Sequence, residues 1–320
     1  MSDVAEPIPG IAQVRSTRPL LGYALYLLAA TLFAINGTVS KALLLTGIDS
    51  TYLSQLRVTL AFLILFAFVA ITRPRSLRIR RDEIGILLAY GVLGVAMTQY
   101  LYFLALETLP VGIALLIEFT APIMVALWFH FSLRHPTPRI VWLGLFVALA
   151  GLAMVAEVWK GFTLDPMGVT AAFGAAAALA IFFLLGDAQV RRPEPRDAVS
   201  MTMWGFGAAT LFWVIVKPWW LFPWGELAGT GYPLGADSSG VPIWMLVTSM
   251  VVLGTVVPFW LIVMSLHHIR ASRASVIGMT EPLLATFIAW VALGEILAPV
   301  QVVGALVVLV GVYLAERYRT

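Results

Sequence analysis

The sequence predicts an all-α integral membrane protein of ten transmembrane helices, arranged as two inverted five-helix repeats. Three observations carry this: the composition, ten long apolar stretches, and a self-similarity at a shift of 160 residues. The 320 residues are 61% hydrophobic and 12% charged, with a mean hydropathy of +0.94. Soluble domains average about half apolar and a quarter charged, so the composition excludes a water-soluble chain, disorder, collagen and coiled coil. The net charge is only +3 and its charges sit in short runs between apolar stretches, which is not a nucleic-acid-binding pattern. There is no cysteine, which excludes disulfides, thiolate chemistry and cysteine-based metal sites.

A bilayer core about 30 Å thick needs roughly 20 apolar residues per helix. Spans are expected near 20–40, 51–72, 84–106, 111–132, 140–158, 166–186, 198–222, 242–266, 273–292 and 296–315. The connectors are short and polar except 223–241, which is rich in Gly and Pro. Arg15 and Arg18 ahead of Leu20 imitate a signal peptide, but the apolar stretch that follows is too long for an ordinary signal core. It is kept as the first helix. With the N-terminus inside, cytoplasmic segments hold sixteen Lys or Arg residues against three outside, Lys41, Lys160 and Lys217. The positive-inside rule then places both termini in the cytoplasm.

The shift of 160 residues aligns the third to fifth spans with the eighth to tenth, without a gap. Aliphatic identities prove little in apolar helices. The informative pairs have backbone reasons: Gly94/Gly254, Thr120-x-Pro122/Thr280-x-Pro282, Gly144/Gly304 and Gly151/Gly311. Five helices per repeat is odd, so the second repeat enters the membrane from the opposite side, an architecture common among transporters. The repeats are taken as 20–158 and 166–315. Gly144 and Gly151, like Gly304 and Gly311, lie two turns apart on one face, a pattern for close helix packing.

Glu281-Pro282 in the ninth span, Gly294-Glu295 before the tenth and the five-plus-five arrangement resemble the EamA branch of the drug/metabolite transporter superfamily. The resemblance covers the whole chain, although the first repeat has Ala121 and His135 where the second has Glu281 and Glu295. Within the family the chain looks most like bacterial amino-acid exporters of the YddG type. The resemblance implies a multi-pass protein of the bacterial cytoplasmic membrane that exports small metabolites by alternating access. It also implies a central cavity between the first, third, fourth, sixth, eighth and ninth helices. No cofactor is implied.

Polar groups inside spans are costly and therefore candidates for function. Asn36, beside Gly37 and Thr38, either ties two helices together or faces the cavity. Glu118 and Glu281 differ by three residues in the repeat frame and so share a face; both are expected near the cavity. The Gly278 equivalent to Glu118 would leave room for substrate. Glu281 has a structural alternative: Pro282 deprives the Gly278 carbonyl of its helical donor, and a protonated Glu281 could hold the kink. Arg57, near the outer end of the second span, reads as a snorkelling residue. Tyr100 and Trp260 occupy equivalent positions, and Gln99 precedes Tyr100; these three line a cavity or face lipid. His130, His267 and His268 read as interfacial, with no metal-ligand spacing. Trp142, Trp159, Trp219, Trp220, Trp224 and Trp244 lie at span ends, as an interfacial belt requires.

No Gly-rich loop with Lys and Ser/Thr is present, so nucleotide hydrolysis does not drive transport directly. Spans without a mid-helix Lys disfavour phosphorylated substrates and favour neutral or zwitterionic ones, amino acids with aromatic or other apolar side chains first. Proton coupling through a buried acid fits the same residues. The competing readings are an exporter of other metabolites, an integral-membrane lipid enzyme and a passive channel. Neither G-x-S-x-G nor H-E-x-x-H supports the enzyme, and no charged ring supports the channel.

Overall fold

Residues 18–134, 137–160, 165–233, 239–293 and 298–317 are described by a computed structural model, and they are mostly helical. In chain order the helices are α1 (Pro19–Leu45), α2 (Ser50–Thr72), α3 (84–108), α4 (111–132), α5 (Arg139–Val155), α6 (Pro166–Val190), α7 (Ala198–Val216), α8 (Ile243–Leu266), α9 (271–293) and α10 (Pro299–Arg317). Eight are long and apolar enough to cross a bilayer. The other two are α5, of 17 residues, and α9, which is divided. A short antiparallel pair, β1 (Thr230–Gly231) with β2 (Val241–Pro242), closes the loop between α7 and α8.

Helix α5 stops at Val155, three residues before 158, α6 runs four residues past 186 to Val190, and three further ends differ from expectation for a backbone reason. Helix α1 runs on to Leu45 and stops at Gly47, whose φ of +95° suits glycine. Helix α7 stops at Val216 instead of residue 222, because Lys217 turns extended ahead of Pro218, which has no N–H to donate. Residues 219–221 form a separate 3-10 turn. Helix α9 starts at Ala271, two residues early, after an extended Arg270. The Gly294-Glu295 turn and His135 lie outside the described residues.

The 160-residue shift reappears in helix geometry. Helix α4 comprises Val111–Glu118 and, after a break, Ala121–Leu127, with a π-helical turn at Trp128–Ser132. Helix α9 comprises Ala271–Gly278 and Glu281–Leu293. Both breaks sit at a Thr-x-Pro. Proline removes one helical donor in each, and the Thr120 and Thr280 hydroxyls donate 2.7 Å bonds to the Ile117 and Ile277 carbonyls. Helices α3 and α8 each contain a π-helical stretch, Tyr90–Ala96 and Val252–Val256, around the paired Gly94 and Gly254. Such bulges are rare and cluster at functional sites.

Contacts between the halves follow the same correspondence. A Cβ on Gly144 would lie 2.7 Å from the Gly311 carbonyl oxygen, and one on Gly304 would lie 2.8 Å from the Gly151 carbonyl oxygen. Gly144 faces Gly311 while Gly151 faces Gly304, so α5 and α10 run antiparallel. Exchanging the repeats maps each contact onto the other. Gly22 packs against Ile269, as Gly168 packs against Leu109. Gly254 receives the Asn36 side chain, as Gly94 receives Phe182.

Helices α2 and α7 are joined at both ends. At one end Arg196 donates to Glu83 at 2.6 Å, with both side chains almost fully buried, and to the Ser76 and Arg78 carbonyls. At the other, Lys217 lies 3.5 Å from Asp49 and over the Tyr52 ring. Burial alone would raise the Asp49 carboxyl, but hydrogen bonding to Thr51 and the nearby Lys217 outweigh it and hold it below the ordinary value.

Candidate functional site

Where α1, α2, α3, α4, α8 and α9 meet, an apolar interior holds a group of charged and polar side chains. The run 53–59 of α2 is buried on every side, Arg57 included at 5% exposure. A residue so enclosed has no lipid face along which to snorkel, which overturns the reading of Arg57 as an interfacial anchor. Its Nε donates to Thr255 Oγ1 and an Nη to the Gly254 carbonyl oxygen, both at 2.5 Å and both on the π-helical stretch of α8. The guanidinium carbon lies 5.6 Å from the centre of the Phe103 ring. Gly254 serves twice here, since its missing side chain admits Asn36 and its carbonyl oxygen accepts from Arg57.

Asn36 donates to Ser40 Oγ at 3.2 Å, while its Oδ1 is buried without a hydrogen-bond donor. Gln99 lies one turn before Phe103 on the same face of α3 and is 4% exposed; neither atom of its amide has a partner. Unsatisfied buried polar atoms are uncommon in folded proteins and call for an explanation. Both amides leave hydrogen-bonding capacity unfilled among the described residues.

Glu118, buried at 8% exposure, and Glu281, half-buried, lie within electrostatic range of Arg57 and Tyr102. The buried Tyr26 is within range of both acids. Among the described residues neither carboxylate accepts a hydrogen bond or forms an ion pair within 4 Å. At the Pro282 kink the Thr280 hydroxyl donates to the Ile277 carbonyl, and among the described residues Glu281 makes no hydrogen bond there. The space opened by Gly278 is also taken: a Cβ there would stand 2.8 Å from the Tyr26 hydroxyl. Tyr26 therefore occupies the place that the sequence reading left for substrate.

Of the residues singled out in the sequence, Asn36, Gln99, Glu118 and Glu281 border this interior. Tyr100 turns toward α7 and packs edge-on against Trp213, with centroids 5.3 Å apart. Trp260 is half-buried; its indole N–H is buried and unpartnered, but the ring makes no aromatic pair with the group. His130 accepts from the Thr137 amide, and His267 bonds its own helix at Val263. Tyr26, Tyr102 and Thr255 escaped the sequence reading, as did the role of Arg57. A signal for Arg57 existed: Ser54, Gln55, Arg57 and Thr59 crowd one stretch of an otherwise apolar helix.

The chain as a whole is similar to known proteins. The model of the EamA-like transporter family matches residues 20–156 and again 166–317. The chain is 29% identical over 282 residues to the threonine/homoserine exporter RhtA of Escherichia coli K12, covering 86% of this chain and 85% of that one. It is 25% identical over 299 residues to an uncharacterized transporter of Archaeoglobus fulgidus, covering 92% and 96% of the two chains. A crystal structure at 19% identity superposes with a TM-score of 0.67 over 93% of this chain and 96% of the other, which shows shared fold alone. With matches to both halves and most of its length covered, the chain belongs to the EamA-like transporter family and is a multi-pass membrane transporter.

Proposed function

We propose that this protein is a secondary exporter of zwitterionic amino acids in the bacterial cytoplasmic membrane. It has ten spans as two inverted five-helix repeats, 20–158 and 166–315, and both termini are cytoplasmic. The observation that carries the substrate class is the buried Arg57, two of whose donors are met by α8, with the carboxyl groups of Glu118 and Glu281 within electrostatic range of it and no ion pair within 4 Å among the described residues. A molecule carrying both charges fits such a place better than a phosphate, a lipid or an inorganic ion. The charges of the amino acid's own backbone occupy all three residues, so its side chain is neutral. Tyr26, Tyr102 and Phe103 around the group favour an apolar or aromatic one. The printed name of RhtA, a threonine/homoserine exporter, supports the amino-acid class.

The inverted arrangement is supported by the antiparallel crossing of α5 and α10, whose glycine contacts exchange with the repeats. Alternating access follows when two such halves swap conformations around a fixed site. Counterflow in proteoliposomes tests the function: vesicles preloaded with an unlabelled amino acid should take up the labelled one transiently, with saturation. A panel of the twenty amino acids includes both the hydroxylated and the aromatic candidates. Exchange of none of them overturns the reading, flux without saturation or trans-stimulation indicates a channel, and conversion of a lipid substrate indicates an enzyme.

A further inference from the structure

We infer that the two ends of the amino acid are held by opposite sides of the buried group, the carboxylate by Arg57 and the ammonium by Glu118 with Glu281. This rests on the export reading above and adds to it the orientation of the bound molecule. A guanidinium has five N–H donors in a planar fork. Arg57 uses one on Thr255 and one on Gly254, and its other donors meet no acceptor in the described residues. A planar fork suits the two oxygens of a carboxylate. The protein's own carboxylates do not close on it, although they lie within electrostatic range.

Glu118 and Glu281 lie within electrostatic range of each other, and among the described residues neither accepts a hydrogen bond. A cation placed between two carboxyl groups favours their ionised form. An ammonium has three donors and no acceptor. It therefore complements this pair as a carboxylate complements Arg57. The unpartnered Gln99 amide and Asn36 Oδ1 border the same interior and can meet the remaining polar edge of the ligand.

The repeat correspondence argues that there is one such site and one orientation. Val95 stands where the second repeat has Thr255, and Phe182 stands where the first half has Asn36. The equivalent π-helical stretch at Gly94 therefore meets the backbone and Cβ of Phe182 and carries a valine, where Gly254 meets an amide and is followed by a hydroxyl. A charged end is accommodated at Gly254 and excluded at Gly94.

The test takes whichever amino acid of the panel exchanges fastest as labelled probe and uses the full-length protein in proteoliposomes. Two unlabelled analogues compete: the amide, which lacks the carboxylate charge, and the 2-hydroxy acid, which lacks the ammonium. Each should compete about tenfold or more weakly than the parent, the scale of one lost charged hydrogen bond. In Arg57→Gln the ratio between parent and amide should collapse toward one, while the ratio between parent and hydroxy acid persists. In Glu118→Gln the opposite ratio should shrink. Wild-type competition needs no substitution, so the proposal remains testable where a variant does not fold. Equal competition by all three compounds in wild type overturns the proposal but leaves amino-acid export standing, and so does an Arg57→Gln protein that still rejects the amide. Exchange of no amino acid at all overturns both.

Discussion

The crossing of α5 and α10 allows a quantitative test of the two-fold relation between the halves. An alanine at Gly144 places its Cβ 2.5 Å from the Ala315 backbone nitrogen and 2.7 Å from the Gly311 carbonyl oxygen. At Gly304, its mate, the nearest atoms stand at 2.7 Å, Met154 Cβ, and 2.8 Å, the Gly151 carbonyl oxygen. Carbon atoms rest at about 3.5 Å or more. The helices must therefore part by roughly 1 Å along a seam of backbone atoms that cannot rotate away. Overpacking on this scale costs about 1–3 kcal/mol. Gly37 is the control, because a Cβ there meets nothing within 4 Å. Replacing a mid-helix glycine by alanine without a clash is neutral or favourable by about 0.5–1 kcal/mol. Unfolding in mixed micelles by sodium dodecyl sulfate titration would read the differences. Gly144→Ala and Gly304→Ala should each destabilise. The double variant Gly144→Ala with Gly311→Ala should lose less than the sum, because the first substitution already separates the helices at their shared contact. A Gly144→Ala protein as stable as Gly37→Ala, or a strictly additive double variant, would falsify the close crossing.

Three other outcomes follow from the site and the topology. Asn36→Ala should lower transport more than folded yield, since Asn36 Oδ1 has no donor among the described residues and the residue fits against Gly254; parallel losses, measured by counterflow and gel filtration, return Asn36 to a packing role. Ser238, in the loop between α7 and α8, lies outside the described residues, so the exposed neighbouring Ser239 is the labelling position. A cysteine at Ser239, the only thiol in the chain, should react with an impermeant maleimide from the outside of intact cells; labelling only after permeabilisation inverts the topology. If transport is proton-coupled, an imposed pH gradient should drive accumulation by wild type, and Glu118→Gln should lose it while keeping counterflow at lower apparent affinity. An amide cannot ionise near neutral pH. A wild type indifferent to the gradient removes coupling from Glu118.

Much of the scaffold was legible because it depends on residues with few conformational alternatives. Pro122 and Pro282 break helices wherever they stand, and the glycines of α5 and α10 announced their face by spacing alone. The site was less legible. An arginine eight residues into a helix has the same hydropathy whether it reaches outward to headgroups or inward to Gly254, and only the packing of α8 against α2 decides. Helical periodicity could not separate Tyr100, turned to Trp213, from Gln99, turned to the face of Phe103, because α3 is apolar almost all round. The π-helical stretches had no sequence signature beyond their glycines. They change which side a side chain faces, so residues counted forward from Gly94 or Gly254 at 3.6 per turn fall on the wrong face.

The halves share a scaffold and differ in what lines it, and the difference has a physical logic. Contacts limited by backbone approach are the same in both: Gly22 with Ile269 and Gly168 with Leu109, Gly144 with Gly311 and Gly151 with Gly304. Such contacts tolerate nothing larger at either place. The lining has no such restriction, and there each polar group has an apolar or small mate. Asn36 stands against Phe182, Thr255 against Val95, Glu118 against Gly278 and Glu281 against Ala121. Placed once, these groups converge, because α1, α2 and α4 of the first half meet α8 and α9 of the second. Placed twice, they would bury a second set of charges with no ligand to meet it, at a cost of several kcal/mol per uncompensated group. The polar groups therefore stand at one locus of the interior. The mate of that locus is the aromatic packing of Phe182 with Tyr90, Phe183 and Phe259.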